Sequence, residues 1–276
     1  MGEVQVLLTT SDEAYVLEEL GTILLFPWSA SSHAEAEELA SNSSVVVTVD
    51  PSRPFQTLTG FGATLTDSSA YLISQAPATV RDTILTRLFG HRSGRGNGSI
   101  GLDILRLPIG ATDNSVSYEM DRVTYDATAD DLGLERFSTI ADNQYYLPLL
   151  HRIMAINPKV QFISSPWTAP LWMKTDSHDL GYGTLEDSPE VVLAYAQYLV
   201  KYLEEYRSNG ISVDYLTLQN EPGHGGCGPM PCMTLHPRQA EQLALKVMPL
   251  LKSSPANLTT KLLAYDHNWG PTFLES

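Results

Sequence analysis

From Gly60 onward one pattern recurs: a short apolar run ends in polar or glycine residues, and an amphipathic helix follows. The runs occupy 60–65, 102–107, 160–163, 213–218 and 261–265. Short continuous apolar runs alternating with helices mark parallel strands buried on both faces. The intervening helices carry clear signals. Over 77–89, Val80, Ile84, Leu85 and Leu88 share a face and Gly90 stops the helix. Over 144–156, Leu147, Leu150, Ile153 and Met154 do the same before Asn157-Pro158. Ser188-Pro189-Glu190 supplies an N-cap, a proline at N1 and an acid in the first turn. That helix ends at Asn209-Gly210, with Val192, Tyr195, Leu199, Tyr202, Leu203 and Tyr206 inward. A further helix spans 237–251, with a last turn that Pro249 calls into question.

Two α/β architectures fit, a closed (β/α)8 barrel of the TIM-barrel type and an open doubly wound sheet. No G-x-G-x-x-G follows any run, which argues against a dinucleotide sheet. The run ends instead carry Arg, Asp, Trp, Asn and Glu, as a barrel active site does. Five strand–helix units are legible where a closed barrel has eight. At about fifty residues per unit, three more need roughly 150 residues. Residues 53–276 are therefore expected to form the N-terminal five units of an incomplete barrel. Residues 1–52 hold nine acids and no base and read as an accessory β segment, with strands over 4–8 and 45–49.

Charge narrows the function classes. Seventeen Lys and Arg against 32 Asp and Glu leave a net charge of −15. Nucleic acid and anionic membrane surfaces both need a basic face, so neither is an expected partner. No apolar run is long enough for a transmembrane segment. The first basic residue is Arg53, so no signal peptide is visible. Either the chain is cytosolic or its leader is missing; the sequons at Asn42, Asn97 and Asn257 lean weakly to the second.

The most chemical stretch is Leu216-Thr217-Leu218-Gln219-Asn220-Glu221-Pro222. Glycoside cleavage needs a carboxyl group that protonates the leaving oxygen, held rigidly with a raised pKa. Glu221 stands at a strand end where that is feasible, and Asn220 is placed to bind a sugar hydroxyl. The bland alternative is a glutamate that caps a helix or pairs with an arginine. Arg106, inside an apolar strand, costs several kcal/mol unless an acid meets it. Its partner is Glu221 or an acid on another strand, in a catalytic or a purely structural pair. Asp113 lies in the following loop, as a sugar ligand or an Asx-turn. Trp167, stiffened by Pro166 and Pro170, suits a carbohydrate subsite or folds back onto the barrel.

Four motifs occur in order: Gly60-Phe61-Gly62-Ala63-Thr64-Leu65-Thr66-Asp67, Arg106-Leu107-Pro108, Ser165-Pro166-Trp167-Thr168-Ala169-Pro170 and Gln219-Asn220-Glu221-Pro222. Together they resemble the glucosylceramidase-type glycoside hydrolases of family 30. Trp172-Met173-Lys174-Thr175 and the segment 4–10 look like the same family. The resemblance implies a (β/α)8 barrel with attached β-structure and retaining chemistry with no metal or cofactor. By motif position, Glu221 is the general acid/base, Asn220 contacts the sugar 2-hydroxyl, and Arg106, Asp113 and Trp167 are substrate-binding residues. The implied partner is a carbohydrate or glycolipid, and the implied location secreted, lysosomal or vacuolar. The family nucleophile is a second glutamate near the end of a seventh strand, and this chain carries no matching motif. Three readings follow: hydrolysis of glucosylceramide or β-glucan, an endo-β-1,6-glucanase or xylanase of the same family, or an inactive carbohydrate-binding fragment.

Three other stretches compete. His224, Cys227, Cys232 and His236 read as a zinc site, a local disulfide or two free thiols. The segment 91–98 looks like a phosphate cradle but lacks the Gly-Lys-Ser/Thr ending, so a plain loop is expected. Tyr265-Asp266-His267-Asn268-Trp269 ends the fifth run and is expected to line the cleft or pack its rim.

Overall fold

The computed structural model describes residues 50, 52–90, 98–117, 124–176, 178 and 180–268, with the backbone of 2–8 and 18–25. The chain divides into two compact units, residues 1–58 and 59–276. In the first, β1 (Gly2–Leu8) and β2 (Glu18–Leu25) form an antiparallel pair with a register shift between Val6 and Leu7. The strand expected over 45–49, like the segment 91–97, lies outside the described residues.

The second unit holds five parallel strands: β3 (Gly62–Thr64), β4 (Ile104–Ile109), β5 (Gln161–Pro166), β6 (Tyr215–Thr217) and β7 (Lys261–Leu263). They pair in sequence order, β3-β4-β5-β6-β7. That order separates the two candidate architectures. Parallel crossovers are right-handed, so stepping always the same way puts every helix on one face. A doubly wound sheet reverses direction once and has helices on both. The observed order is that of a TIM barrel, open between β7 and β3.

Strands β3, β6 and β7 are shorter than their apolar runs, whereas β4 and β5 pair on past theirs, Leu107 with Ser164, Pro108 with Ser165 and Ile109 with Pro166. Gly62 shows why the first motif is glycine-rich. A Cβ there would lie 2.3 Å from the Ile104 carbonyl oxygen, so only glycine lets β3 approach β4.

The helices are α1 (Asp67–Gln75), α2 (Ala78–Phe89), α3 (Tyr146–Ile156), α4 (Pro189–Ser208) and α5 (Pro237–Ser253). Helix α1 has no counterpart in the sequence reading. Its N-cap is Thr66, whose hydroxyl accepts from the Ser69 amide at 3.3 Å. On α2 the apolar stripe is rotated from expectation. Leu85 and Phe89 are buried, whereas Val80 is 48% exposed. The helix packs against α1 and α3, and its end is tied to the following segment by the Ile100 and Leu102 amides, which donate to the Arg87 and Leu88 carbonyls at 2.8 and 2.7 Å. On α4 all six expected inward residues are buried. Ser188 caps it through the Val191 amide at 3.3 Å, and Gly210 closes it with φ +79°. Helix α5 runs through Pro249 to Ser253, past the turn thought doubtful. Leu245, whose carbonyl loses its amide partner to the proline, lies on the exposed face of the helix.

The core is built around a tyrosine row on α4. Tyr198, Tyr202 and Tyr206 are fully buried with their hydroxyls engaged. Tyr202 meets the Ser164 hydroxyl at 3.0 Å, Tyr206 donates to Asp142 at 2.8 Å, and Tyr198 accepts from the Tyr125 amide at 3.1 Å. Burial pushes the Tyr198 phenol up to about 12.

Candidate active site

The polar residues converge at the carboxyl ends of the strands, as in barrel enzymes generally. Arg106 is the hub. Its Nη2 donates to Asp266 Oδ2 at 2.6 Å, Asn220 Oδ1 at 2.7 Å and Ser165 Oγ at 3.1 Å. The Arg106–Asp266 side chains are 20% and 28% exposed, so the pair is well shielded. The acid that Arg106 requires is therefore Asp266, after β7, and not Glu221. Ser165 completes the network. It accepts from the Thr217 hydroxyl at 2.6 Å and donates to Asp266 Oδ2 at 2.9 Å, which exhausts its single proton.

Beneath the guanidinium lies Trp167, with Arg106 Cζ 4.5 Å from the ring centroid. The ring is 8% exposed. Of the two readings of this loop, the ring is turned inward and one face belongs to the arginine. The segment after β6 is tied to the same loop. The Asn220 amide donates to the Pro166 carbonyl at 2.8 Å, and Gln219 Nε2 to the Trp167 carbonyl at 2.7 Å.

Arg106 also orients Asn220. A guanidinium only donates, so the Asn220 carbonyl oxygen faces it and the amide NH2 is turned away, free to donate elsewhere. Glu221 follows with φ +46°, in the left-handed region, at a cost of about 1–2 kcal/mol for a residue with a side chain. Its amide donates to the Asp266 carbonyl at 2.8 Å, which holds the backbone in that conformation. Strain of this kind concentrates at functional sites. The carboxylate accepts from Asn268 Nδ2 at 2.9 Å, and His224 Nδ1 stands 3.8 Å from its other oxygen. The side chain is 36% exposed, within reach of a ligand.

Asp113 stands apart. It is exposed in the loop after β4, accepting from Asn114 Nδ2 at 3.5 Å. Among the described residues, no hydrogen bond ties it to the Arg106 cluster. The turn there is organised by Thr112, whose hydroxyl accepts from the Asn114 amide at 2.9 Å.

The loop after Glu221 carries a Cys227–Cys232 disulfide, with Cα atoms 6.1 Å apart. This replaces the zinc and free-thiol alternatives, and no metal-binding cluster is found among the described residues. His236 instead caps α5 in a reciprocal pair with Gln239. The disulfide loop is pinned from the third motif region. Lys174, 3% exposed, donates to the Leu180 and Cys232 carbonyls at 2.9 and 3.3 Å. Beside β7 opens an apolar hollow of about 510 Å³, lined by Pro222, Gly223, Leu235, Ala240, Ala244 and Tyr265.

Ser165 and Thr217 escaped the sequence reading as site residues, whereas Asn268 lies in the stretch 265–269 expected to line the cleft. Ser165 and Thr217 were embedded in motifs read for their neighbours. Asp67 did too: its carboxylate accepts from the Val116 amide at 2.9 Å and from the Tyr145 hydroxyl, joining the loops after β3 and β4.

Among proteins of known description, the glycosyl hydrolase family 30 TIM-barrel domain matches residues 58–273. Putative glucosylceramidase 2 of Caenorhabditis elegans is 32% identical over 235 residues, covering 83% of this chain and 43% of that protein. Lysosomal acid glucosylceramidase of Mus musculus is 29% identical over 234 residues, covering 82% and 43%. The solved endo-β1,6-glucanase BT3312 superposes with a TM-score of 0.73 at 29% identity, covering 97% of this chain and 54% of that one. The chain thus spans less than half the length of these curated relatives. With the ordered motifs, the five sequential parallel strands and a match over most of its length, the chain belongs to glycosyl hydrolase family 30.

Proposed function

We propose that these residues form the acid/base half of a retaining β-glucosidase site, acting on glucosylceramide or a β-glucan. The observation that carries this reading is the Asn220–Glu221 pair, held at a strand end by Arg106 and Asp266. Glu221 protonates the glycosidic oxygen as the aglycone leaves. It then takes a proton from the water that releases the sugar. Asn220, its oxygen fixed by Arg106, donates through Nδ2 to the sugar 2-hydroxyl, a contact that strengthens in the transition state. Trp167 seats the guanidinium and offers the sugar a ring edge, while Asp113 reaches outer hydroxyls from the loop.

A retaining mechanism needs a second carboxyl group about 5–5.5 Å from the first. Asp266 is the acid whose backbone pairs with the Asn220–Glu221 segment, but Arg106 and Ser165 both hold its Oδ2, which drains its nucleophilicity. The nucleophile is the glutamate that the family carries near its seventh strand, and these five strands do not include it. The disulfide and the lysosomal relative support a secreted or lysosomal setting. The second reading, a carbohydrate-binding role without turnover, is favoured by Glu221 being the one strand-end glutamate among the described residues.

The test is the leaving-group dependence of Glu221→Gln in a closed barrel carrying these units. Alkyl glucosides, which need protonation, should lose turnover by at least about 10²-fold, while activated aryl glucosides lose far less in the first step. Equal losses on both, with an unchanged fold, contradict the assignment.

A further inference from the structure

We propose that Asn257 is an N-glycan acceptor, placed at the end of the barrel opposite the active site. This rests on the secretory setting inferred above. Asn257-Leu258-Thr259 satisfies the acceptor triplet, with no proline in the middle. The triplet lies between α5 and β7, at the amino end of the strand, whereas Glu221 and Asp266 lie at the carboxyl ends. A glycan there leaves the mouth clear.

The local geometry suits the modification. Asn257 is exposed with φ +52°, at the tip of a turn in which its amide donates to the Ser254 carbonyl at 3.2 Å. The turn is anchored from below, since Ser254 Oγ donates to Glu204 at 2.6 Å and Thr260 Oγ1 to the Val213 carbonyl at 2.8 Å. Leu258 packs against the core. Asn257 and Thr259 point outward, and among the described residues neither side chain has a hydrogen-bond partner. Asparagine tolerates the left-handed region, so the turn alone explains Asn257. It does not explain an unbonded threonine two residues later. The triplet at Asn97 differs, because the Ser99 hydroxyl is engaged, donating to the Gly90 carbonyl at 2.6 Å.

In the transfer, the Asn257 carboxamide nitrogen bonds to the anomeric carbon of an oligosaccharide carried on a polyprenyl diphosphate. The bond from that carbon to the diphosphate oxygen breaks, the diphosphate departs with the polyprenol, and the amide proton passes to base. No oxidant or reductant is required.

The experiment translates residues 1–276 behind a supplied cleavable leader in the presence of endoplasmic-reticulum microsomes. Protease-protected product is deglycosylated by peptide N-glycosidase in heavy-oxygen water and mapped by mass spectrometry. Wild type and Thr259→Ser should carry heavy aspartate at 257, and Thr259→Ala and Asn257→Gln should show none. Transfer precedes folding, so a variant that fails to fold still reports. Protected wild-type chain unlabelled at 257 overturns the proposal. The leader is supplied, so that outcome speaks against Asn257 and not against the natural compartment. Loss of glucosidase activity likewise leaves the label untouched.

Discussion

At Arg106 one guanidinium nitrogen meets three oxygens while an indole ring lies beneath. A cation in an apolar strand is tolerated only with such company. Arg106→Ala would strand Asp266 without its counter-charge and uncover Trp167. We expect a loss of about 2–4 kcal/mol in urea unfolding, toward the low end of buried-pair values because the pair is partly exposed. Arg106→Lys should recover only part of it, since an ammonium cannot lie flat on the ring. No difference between wild type and Arg106→Ala would contradict the hub role. The need for an acid was legible from the sequence, because burying a lone cation is prohibitive. Which acid was not. Strand periodicity says that a side chain points inward, but not which inward side chain it meets, so Glu221 and an acid on another strand were both left open. For the same reason Ser165 and Thr217 went unnoticed: a small hydroxyl in a strand carries no pattern of its own.

At the scale of elements, the long helix α4 was the most legible, with an N-cap, a proline at N1, a closing glycine and an unbroken apolar stripe. Helix α1 was the least, since a short polar sequence such as Asp67-Ser68-Ser69 reads as loop until Thr66 caps it. The tyrosines of α4 give a contrast within one element. Among the described residues the buried Tyr195 hydroxyl has no partner, whereas Tyr206 donates to Asp142. Tyr195→Phe should therefore be neutral or stabilising by about 1 kcal/mol, and Tyr206→Phe should cost about 1–3 kcal/mol. Urea midpoints decide between this and equal effects. The raised phenols also set the alkaline limit. A tyrosine neutral in the fold with pKa about 12, against a reference of 10.0, contributes stability that is complete below pH 10. That stability is lost as pH rises from 10 toward 12, so alkaline unfolding should begin in that window.

At the scale of the whole molecule, the sequential parallel order makes the sheet curl toward closure, and five strands leave it open. The side chains of β3 are exposed along its length, and those of β7 are exposed or partly so. Unpaired edges of this kind template aggregation or invite a partner. The five units were legible from spacing, and the barrel type from the polar run ends and the missing G-x-G-x-x-G. The open edges follow from geometry that no single residue encodes. Residues 1–276 alone should accordingly bind apolar dyes and show no enzyme-like turnover of aryl β-glucosides. Turnover that survives repurification and vanishes in Glu221→Gln would mean that an acid within these five strands serves as nucleophile. The central claim, that Glu221 is the acid/base and not the nucleophile, is tested most directly by azide rescue of Glu221→Ala in a closed barrel. With the acid/base missing, azide attacks the glucosyl-enzyme in place of activated water, and the account predicts recovered turnover with a β-glucosyl azide product. An α-glucosyl azide would mean that Glu221 is the nucleophile, and undiminished turnover of alkyl and aryl glucosides with no azide product would mean that it is neither.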